Sequence, residues 1–516
     1  MPQHSFNPAQ DDHSTPWGGF GARLGGLTLL LMLVISGLAH AADRPNIVLV
    51  FADDLGLYEL GCYGQEKILT PNIDRLAAEG MRFTRFYSAS TVCAPSRCSL
   101  LTGMHTGHAF IRGNKEVGGW GPEDHEGQQP LPAEMVTLAE RLKDLGYDTA
   151  AFGKWGLGGP GSTGHPCYQG FDHFYGYLCQ RVAHNYYPTH LWRNHDVDVL
   201  GGNRYFSAHQ RIDAPLEDEA EYARRFAGGD YAPEQIIKEA ERWIADRAKD
   251  GRDAPFFVYY ASIIPHVALQ APQDFVDRYP RSWDAEPYLG RNGYLPNPRP
   301  RATYAAMISF LDEAVGRLRV ALEKSGQLDN TIILFTSDNG TTFAGGVDRV
   351  FFDSLGDLRG FKTNLYEGGI REPLIAWWPG HIGVGYESDL IAQSIDLLPT
   401  IIEAAGGHAP VDIDGFSILP TLVSSGEQRV HDVLYWEFPE GRQQQAVLIG
   451  GRWKAIRPDL KKGLTLELYD IMHDPTESTD VAGDRPEIVA QAEQLMRESR
   501  FPSELFPIPA LDRQGP

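Results

Sequence analysis

The sequence predicts an α/β fold in which helices flank a large mixed, mostly parallel sheet. Two observations support this: short apolar runs alternate with amphipathic stretches along the chain, and no internal repeat or helical heptad interrupts them. With 516 residues, of which 42% are hydrophobic, the chain can form one large domain with a smaller one appended.

Five apolar runs are predicted to be strands of this sheet. Continuous apolar runs of this length are typical of strands that are buried on both faces. They are "NIVLVFA" at 46–52, "TAAFG" at 149–153, "FFVYYAS" at 256–262, "TIILFTS" at 331–337 and "PLIAWWP" at 373–379.

Four stretches with helical periodicity are predicted to be the flanking helices, and the last two end near glycine, as helices often do. They are "TLAERLKDLG" at 137–146, "PEQIIKEAERWIADRAKD" at 233–250, "ATYAAMISFLDEAVGRLRVALEKSG" at 302–326 and "SIDLLPTIIEAAG" at 394–406. A stretch rich in Pro, Gly and Arg at 283–301 is predicted to be a surface excursion of the same domain.

The pattern changes after about residue 430, where a small C-terminal subdomain is predicted. Three segments suggest antiparallel strands: "VLYWEF" at 433–438, "AVLIGGRWKAIR" at 446–457 and "LTLELYDI" at 464–471. A helix near 487–500 follows them. The sequence therefore divides into a main domain at 42–430 and an antiparallel-sheet-plus-helix subdomain at 431–516.

Residues 1–41 are predicted to be an export signal. Arg23 precedes an apolar run at 27–38 that is too short to span a bilayer, and the run ends in Ala39-His40-Ala41, a small-x-small cleavage pattern. Cleavage after Ala41 would leave no stable membrane span and a periplasmic or secreted protein. Because the segment before the run is long and contains acidic residues, an uncleaved anchor is the alternative.

The charge balance limits the partners of the chain. Lys and Arg total 46 against 68 Asp and Glu, which gives a formal net charge of −22. Non-specific attraction to nucleic acid or anionic lipid is therefore not expected, and an anionic substrate must be held by a local cluster of cations.

Polar residues follow four of the predicted strands, where an open α/β sheet binds its ligands. They are, in chain order, Asp53, Asp54, Lys154, His266, Asp338 and Asn339. The three carboxylates and the amide are hard oxygen donors, which suit Ca²⁺ or Mg²⁺ better than zinc. The alternative is that each Asp only caps a helix or shapes a turn.

The segment "STVCAPSRCSLLTG" at 90–103 places Cys93 at the start of a predicted helix. The helix dipole favours an anion at such a terminus, and Arg97 lies about one turn further on. Five cysteines are present, so at least one stands outside any intramolecular pairing, and none has CxxC spacing. A buried structural cysteine, or a disulfide with Cys98, is the alternative for Cys93.

These segments occur together with others in one order along most of the chain. The set comprises "PNIVLVFADDLG", "GCYG", "TPNIDRLAAEGMRFTRFYS", "CAPSRCSLLTG", "GKWGLG", "PHVALQ", "FTSDNG", "KTNLYEGGIREP", "DLLPTI", "DGFSILP" and "ELYDIMHDPTES". In this order they resemble the type I sulfatases of the alkaline-phosphatase-like superfamily, whose signature reads C-x-P-S-R. The resemblance implies that a maturation enzyme oxidises Cys93 to formylglycine (3-oxoalanine), an aldehyde that hydrates to a geminal diol.

The same resemblance implies a role for each candidate site residue. One divalent cation, usually Ca²⁺ with Mg²⁺ as the alternative, would be bound by Asp53, Asp54, Asp338, Asn339 and the formylglycine at position 93. Arg97 would steady the diol, Lys154 and Lys362 would neutralise sulfate oxygens, and His266 would protonate the leaving alcohol. This charge arrangement suits a sulfate ester, whose bridging oxygen gains charge as the bond breaks.

Gly156 departs from the family pattern, which has a histidine after the "GKW" of this motif. Another residue, or water, must then act on the second diol hydroxyl, or turnover is impaired. The candidates are His165, His184, His190 and His195, of which we favour His184.

The stretch "AHNYYPTHLWR" at 183–193 is also where substrate recognition is expected, through His184, Tyr187 and Arg193. Aromatic faces stack on sugar rings, and Arg binds hydroxyls or sulfates. With export, this composition favours a sulfated carbohydrate, although simple aryl sulfates fit as well. A phosphatase or phosphodiesterase of the same superfamily, or a non-catalytic glycan-binding relative, are the alternative functions.

Overall fold

The computed structural model describes residues 44–121 and 123–513, so the predicted export signal at 1–41 lies outside the described residues. Among the helices of the described part, none combines the length and apolar character needed to cross a bilayer.

The described part of the chain contains one large sheet of eleven strands. They are β1 Asn46–Asp53, β2 Met81–Tyr87, β3 Asp148–Lys154, β4 His173–Tyr177, β5 His190–Arg193, β6 Asp196–Val199, β7 Phe256–Pro265, β8 Thr331–Ser337, β9 Arg371–Trp377, β10 Tyr386–Ser388 and β11 Ala392–Gln393. Their order is β10-β2-β9-β8-β1-β7-β3-β4-β5-β6, with β11 also paired to β2. Only β5 and β9 run against the others, so the predicted mixed, mostly parallel sheet is confirmed.

Helices cover both faces of this sheet. They are α1 Pro71–Glu79, α2 Cys93–Thr102, α3 Leu138–Asp144, α4 Glu219–Phe226, α5 Ala232–Lys249, α6 Gln273–Val276, α7 Pro300–Lys324, α8 Arg349–Phe352, α9 Glu367–Ile370, α10 Leu397–Ala404 and α11 Leu419–Leu422. Alternate residues of β1 point to opposite faces: Val48 and Val50 join the core under α1, α5 and α7, whereas Leu49 and Phe51 join the core under α2, α3 and α10. The sheet is therefore buried on both sides, as its apolar strands predict.

A second, four-stranded antiparallel sheet follows in sequence. Its strands are β12 Val433–Phe438, β13 Gln444–Ile449, β14 Trp453–Arg457 and β15 Glu467–Asp470, and α12 Pro486–Glu498 and α13 Pro509–Asp512 come after it. Ala492 and Met496 of α12 pack on one face, and Trp436 of β12 packs on Tyr87 of β2 from the other. The predicted antiparallel-sheet-plus-helix unit is confirmed, while its boundary at 430/431 stays a prediction.

The order of the central strands decides where the polar residues meet. Strands β8, β1, β7 and β3 are neighbours and parallel, so their carboxyl ends lie along one edge of the sheet. The segments that leave this edge carry the residues at 338–339, 53–54, 266 and 154, in that spatial order. Helix α2 begins beside the same edge.

Candidate active site

Arg97 is the centre of the polar cluster at this edge. Its side chain is fully buried, and Nη2 lies 3.2 Å from Asp53 Oδ2 and 3.0 Å from Asp338 Oδ2. Nη1 donates to the backbone oxygen of Lys154 at 2.6 Å. One side chain from the second turn of α2 thus joins the ends of β1, β8 and β3.

Two lysines complete the cluster. Lys154 Nζ donates to Asp53 Oδ2 at 2.6 Å, and Lys362 Nζ lies 2.8 Å from Asp54 Oδ2. Lys362 Nζ is also 3.7 Å from Cys93 Sγ. With Arg97, three buried cations face the three buried carboxylates of the cluster, which balances their charge.

Cys93 is the first residue of α2, and its thiol lies inside this cluster. Sγ donates to Asp53 Oδ1 at 3.3 Å, and the residue is 1% exposed. Burial, together with the charge of Asp53, raises the pKa of the thiol far above its ordinary value. All five cysteines are free, so the alternative of a disulfide between Cys93 and Cys98 is not supported.

The two carboxyl groups that contact Arg97 have pKa values shifted in opposite directions. Burial alone would raise the pKa of Asp53, but the neighbouring Lys154, His266 and Arg97 hold it well below the usual range. Burial and the negative charge of Asp53 raise the pKa of Asp338 to about 7. Two adjacent acids with separated pKa values can hold one proton between them.

The oxygen atoms of the cluster fit a divalent cation. The ligand atoms of Asp53, Asp54, Cys93 and His266 lie within 4.8 Å of one another. Asn339 Nδ2 donates to Asp54 Oδ1 at 2.8 Å, whereas Asn339 Oδ1 is buried without a hydrogen-bond donor among the described residues. Asp54 adopts a φ of 66°, a conformation that is rare outside glycine and concentrates at functional sites. A buried acceptor without a donor beside hard carboxylate oxygens is what Ca²⁺ or Mg²⁺ requires.

His266 follows β7 and faces Asp54, whose Oδ2 lies 3.7 Å from His266 Nε2. Its Nδ1 is 2.6 Å from the backbone oxygen of Val267, which only accepts hydrogen bonds, so Nδ1 carries a hydrogen. Burial, with Lys362 next in effect, lowers the pKa of His266 to about 4. Nε2 is therefore the ring atom that can take up and deliver a proton in this site.

Two protein-family models match the sequence. The Sulfatase family matches residues 45–407, and the family described as N-sulphoglucosamine sulphohydrolase, C-terminal, matches residues 358–500. The chain belongs to the sulfatase family. The predicted membership of the type I sulfatases, a class of sulfuric ester hydrolases with the alkaline-phosphatase-like fold, is confirmed.

Individual relatives cover most of this sulfatase. Arylsulfatase A of Homo sapiens is 33% identical over an alignment of 503 residues that covers 90% of this chain and 89% of that protein. N-acetylgalactosamine-6-sulfatase of Rattus norvegicus is 33% identical over an alignment of 403 residues that covers 76% of this chain and 69% of that protein. The crystal structure of Ps i-CgsB in complex with k-i-k-neocarrahexaose has a TM-score of 0.69 and 25% identity, and the match covers 89% and 94%.

His184 lies beside His266 in this sulfatase. The two rings stack with centroids 4.8 Å apart and planes inclined by 10°, and Tyr294 meets both edge-on. His184 Nδ1 is 3.1 Å from His209 Nε2, and burial lowers the pKa of His184 well below its ordinary value. His209 and Tyr294 are not predicted from the sequence, because no motif marks them.

The other candidate histidines have partners outside the cluster. His165 stacks on His195 at 4.4 Å and bonds the backbone oxygen of Asn194 through Nε2. His190 Nε2 lies 2.8 Å from Glu126 Oε1. In the described part of the chain the structure does not bring these three histidines to Cys93.

Tyr187 and Arg193, the other predicted substrate contacts, also lie away from the cluster. The ring of Tyr187 is buried against Tyr231. Arg193 pairs with Glu239 of α5 and, at 3.0 Å, with Asp198 of β6. Of the three residues predicted to bind substrate, only His184 adjoins His266.

Proposed function

We propose that this sulfatase hydrolyses a sulfate ester of a sulfated carbohydrate, with formylglycine made from Cys93 and one divalent cation. The observation that carries the proposal is the position of the Cys93 thiol, at the start of α2 between Asp53 and Lys362. The thiol is buried and donates to Asp53 Oδ1, so it is held as a neutral thiol and not as a thiolate nucleophile. Because Cys93 is 1% exposed, the maturation enzyme must act before the chain folds.

Asp53, Asp54, Asp338 and Asn339 would hold the cation, Ca²⁺ or alternatively Mg²⁺. Bound there, it would offset the charge of the sulfate oxygens. The bound cation would also neutralise Asp53 and Asp54, which pair with Lys154 and Lys362 in its absence. Both ammonium groups would then be free to contact the non-bridging oxygens of the substrate.

Each remaining residue has one task in this scheme. The hydrated formylglycine would supply one hydroxyl to attack sulfur as the alcohol leaves. Its second hydroxyl would then lose a proton and expel sulfate as the aldehyde re-forms, and water would restore the diol. Arg97 fixes the positions of Asp53 and Asp338 through its two hydrogen bonds. His266 delivers a proton from Nε2 to the leaving oxygen, since the negative charge of a bound sulfate raises the pKa of a neighbouring imidazole.

A cleft beside His184 supports a carbohydrate as the substrate. It has a volume of about 100 Å³, and its lining includes Trp120, Tyr205, Arg181 and His209. Trp120 and Tyr205 are exposed aromatic residues, which suit the faces of sugar rings. Because His209 both lines the cleft and contacts His184, which stacks on His266, a sugar in the cleft would lie near His266.

We also place the working enzyme in the periplasm or outside the cell. This rests on the export signal predicted at 1–41.

The test uses protein made together with its maturation enzyme. Mass spectrometry of the tryptic peptide Phe86–Arg97 should find the aldehyde at position 93, and sulfated mono- and oligosaccharides should release sulfate in a chelator-sensitive reaction. Cys93→Ala should abolish release and leave the unfolding transition unchanged. Aryl phosphate serves as the control substrate; faster hydrolysis of phosphate than of every sulfate, or an unmodified thiol in active protein, would contradict the proposal.

A further inference from the structure

Gly156 and Gln180 lie next to each other, just beyond the ends of β3 and β4. Gly156 has a φ of 81°, which favours glycine, and a Cβ atom added there would lie 2.9 Å from Gln180 Nε2 and 3.0 Å from its Cγ. The carboxamide of Gln180 thus fills the volume that a side chain at position 156 would enter.

The backbone holds Gln180 in this place. Lys154 of β3 pairs with Tyr177 of β4, and beyond the strands Gly156 N donates to the oxygen of Leu178 at 3.2 Å. Gln180 N donates in turn to Gln128 Oε1 at 3.2 Å. The two segments therefore leave the sheet side by side, with Gln180 laid over Gly156.

The side-chain nitrogen of Gln180, Nε2, has no acceptor among the described residues. The residue is 1% exposed, and Nε2 makes no hydrogen bond within the described residues. Burying an N–H group without an acceptor destabilises a fold, so this donor calls for a partner, which a bound ligand would supply.

The turn that Gln180 covers belongs to the catalytic cluster. Lys154, two residues before Gly156, donates its Nζ to Asp53 and gives its backbone oxygen to Arg97. Asp53 in turn accepts from the thiol of Cys93. The unpaired buried donor therefore contacts a turn that begins two residues after Lys154, which is held to Asp53 and Arg97.

We propose that Gln180 takes the place of the side chain that Gly156 lacks, and that its Nε2 donates a hydrogen bond to the oxygen atoms of the modified residue 93 or of the sulfate on it. The inference rests on the proposed function. A carboxamide neither gains nor loses a proton near neutral pH, so Gln180 orients and stabilises these oxygens and does not serve as a base.

Gln180→Met tests this, because methionine keeps the length of the side chain and removes its polar atoms. We expect kcat to fall about 100-fold, as for the loss of one donor to a developing oxyanion, with KM changed little. The melting temperature should stay level or rise, since the unpaired N–H group is gone. Gln180→Glu, which replaces the donor nitrogen by an oxygen, should lose kcat to a similar extent.

Gln169→Met is the matched control. Gln169 is equally buried, but its Nε2 donates to the backbone oxygens of Thr163 at 3.0 Å and Pro132 at 3.4 Å. Only its Oε1 has no donor among the described residues, and Gln169 does not belong to the cluster. This variant should lower the melting temperature and leave kcat near the wild-type value.

The outcomes separate the inference from the proposed function. A kcat of Gln180→Met within about threefold of wild type, or a melting temperature lowered as far as in the Gln169→Met control, would overturn the role of Gln180 while sulfate release by the wild type stands. Absence of sulfate release from fully modified wild-type protein would instead overturn the proposed function. The melting temperatures are read on unmodified protein, so they test the buried donor independently of activity.

Discussion

Replacing Lys454 of β14 by methionine is expected to destabilise this sulfatase strongly. Lys454 Nζ donates to Glu367 Oε1 at 2.8 Å and forms an ion pair with Glu477 Oε1 at 2.9 Å. All three side chains are fully buried between the C-terminal sheet and α9. Glu367 begins α9, five residues after Lys362, so the same cluster supports the loop that carries a proposed catalytic lysine.

The size of the expected loss of stability follows from the two buried carboxylates that Lys454→Met leaves unpaired. Removing one partner of a buried ion pair costs about 3–5 kcal/mol, against a total stability of about 5–15 kcal/mol for a domain. In the wild type, Lys454 lowers the pKa of Glu367 against the effect of burial, and burial raises the pKa of Glu477 to about 7. Without the lysine, we expect both folded-state pKa values to lie above those of the unfolded chain.

This shift gives the loss a defined pH dependence. A carboxyl group with a raised folded pKa stabilises the fold only where it is protonated, so its contribution is lost as the pH rises above the unfolded value of about 4.5. The destabilisation by Lys454→Met should therefore be larger at pH 8 than at pH 5. Urea unfolding followed by tryptophan fluorescence at the two pH values measures it.

Lys462→Met provides the control, because Lys462 is 82% exposed and pairs with Asp459 at 3.2 Å on the surface. That variant should lose less than about 0.5 kcal/mol at either pH. A loss below about 1 kcal/mol for Lys454→Met at pH 8, or an equal loss at both pH values, would refute the reasoning.

Three further substitutions test other contacts. Asp312 of α7 accepts from the backbone N–H groups of Asn72 and Ile73 at 2.8 Å, so Asp312→Ala should cost about 2 kcal/mol in urea unfolding, and a loss under about 0.5 kcal/mol would contradict this capping role. Asn339→Ala removes the buried acceptor and should weaken calcium binding in titration calorimetry by about tenfold or more, whereas unchanged affinity would exclude Asn339 as a ligand. Arg97→Lys cannot reproduce the guanidinium contacts and should lower kcat/KM about 100-fold, and activity within threefold of wild type would show that they are dispensable.

The sequence predicts the central strands well because their physical setting is simple. β1, β3, β7, β8 and β9 are buried on both faces, so each leaves a continuous apolar run. The edge strands leave no such signal. β6, "DVDV", is largely exposed and charged, and β10 has three residues, so pairing with a neighbour, not composition, makes them strands.

The candidate site also has a part that the sequence predicts and a part that it does not. The residues at 53–54, 154, 266 and 338–339 meet because parallel neighbouring strands end at one edge, which follows from the strand prediction alone. The contacts of His184 with His209 and Tyr294 join loops far apart in sequence, so no local pattern predicts them. Arg193 is the opposite case. A guanidinium group suits a sulfate, so residue type alone predicts a substrate contact, but the fold places Arg193 against Glu239.

Gly156 shows which kind of reasoning finds a missing group. A search by residue type leads to histidines, and the nearest in sequence, His165, bonds Asn194 away from the cluster. A search by sheet register leads elsewhere: since position 154 pairs with 177, the residues just past both strands must run together. Continued past the strands, this register sets position 156 against Cys179, and the structure lays the side chain of the next residue, Gln180, over Gly156. The group that compensates for a lost side chain is therefore to be sought on the adjoining strand, and its chemistry need not match that of the residue it replaces.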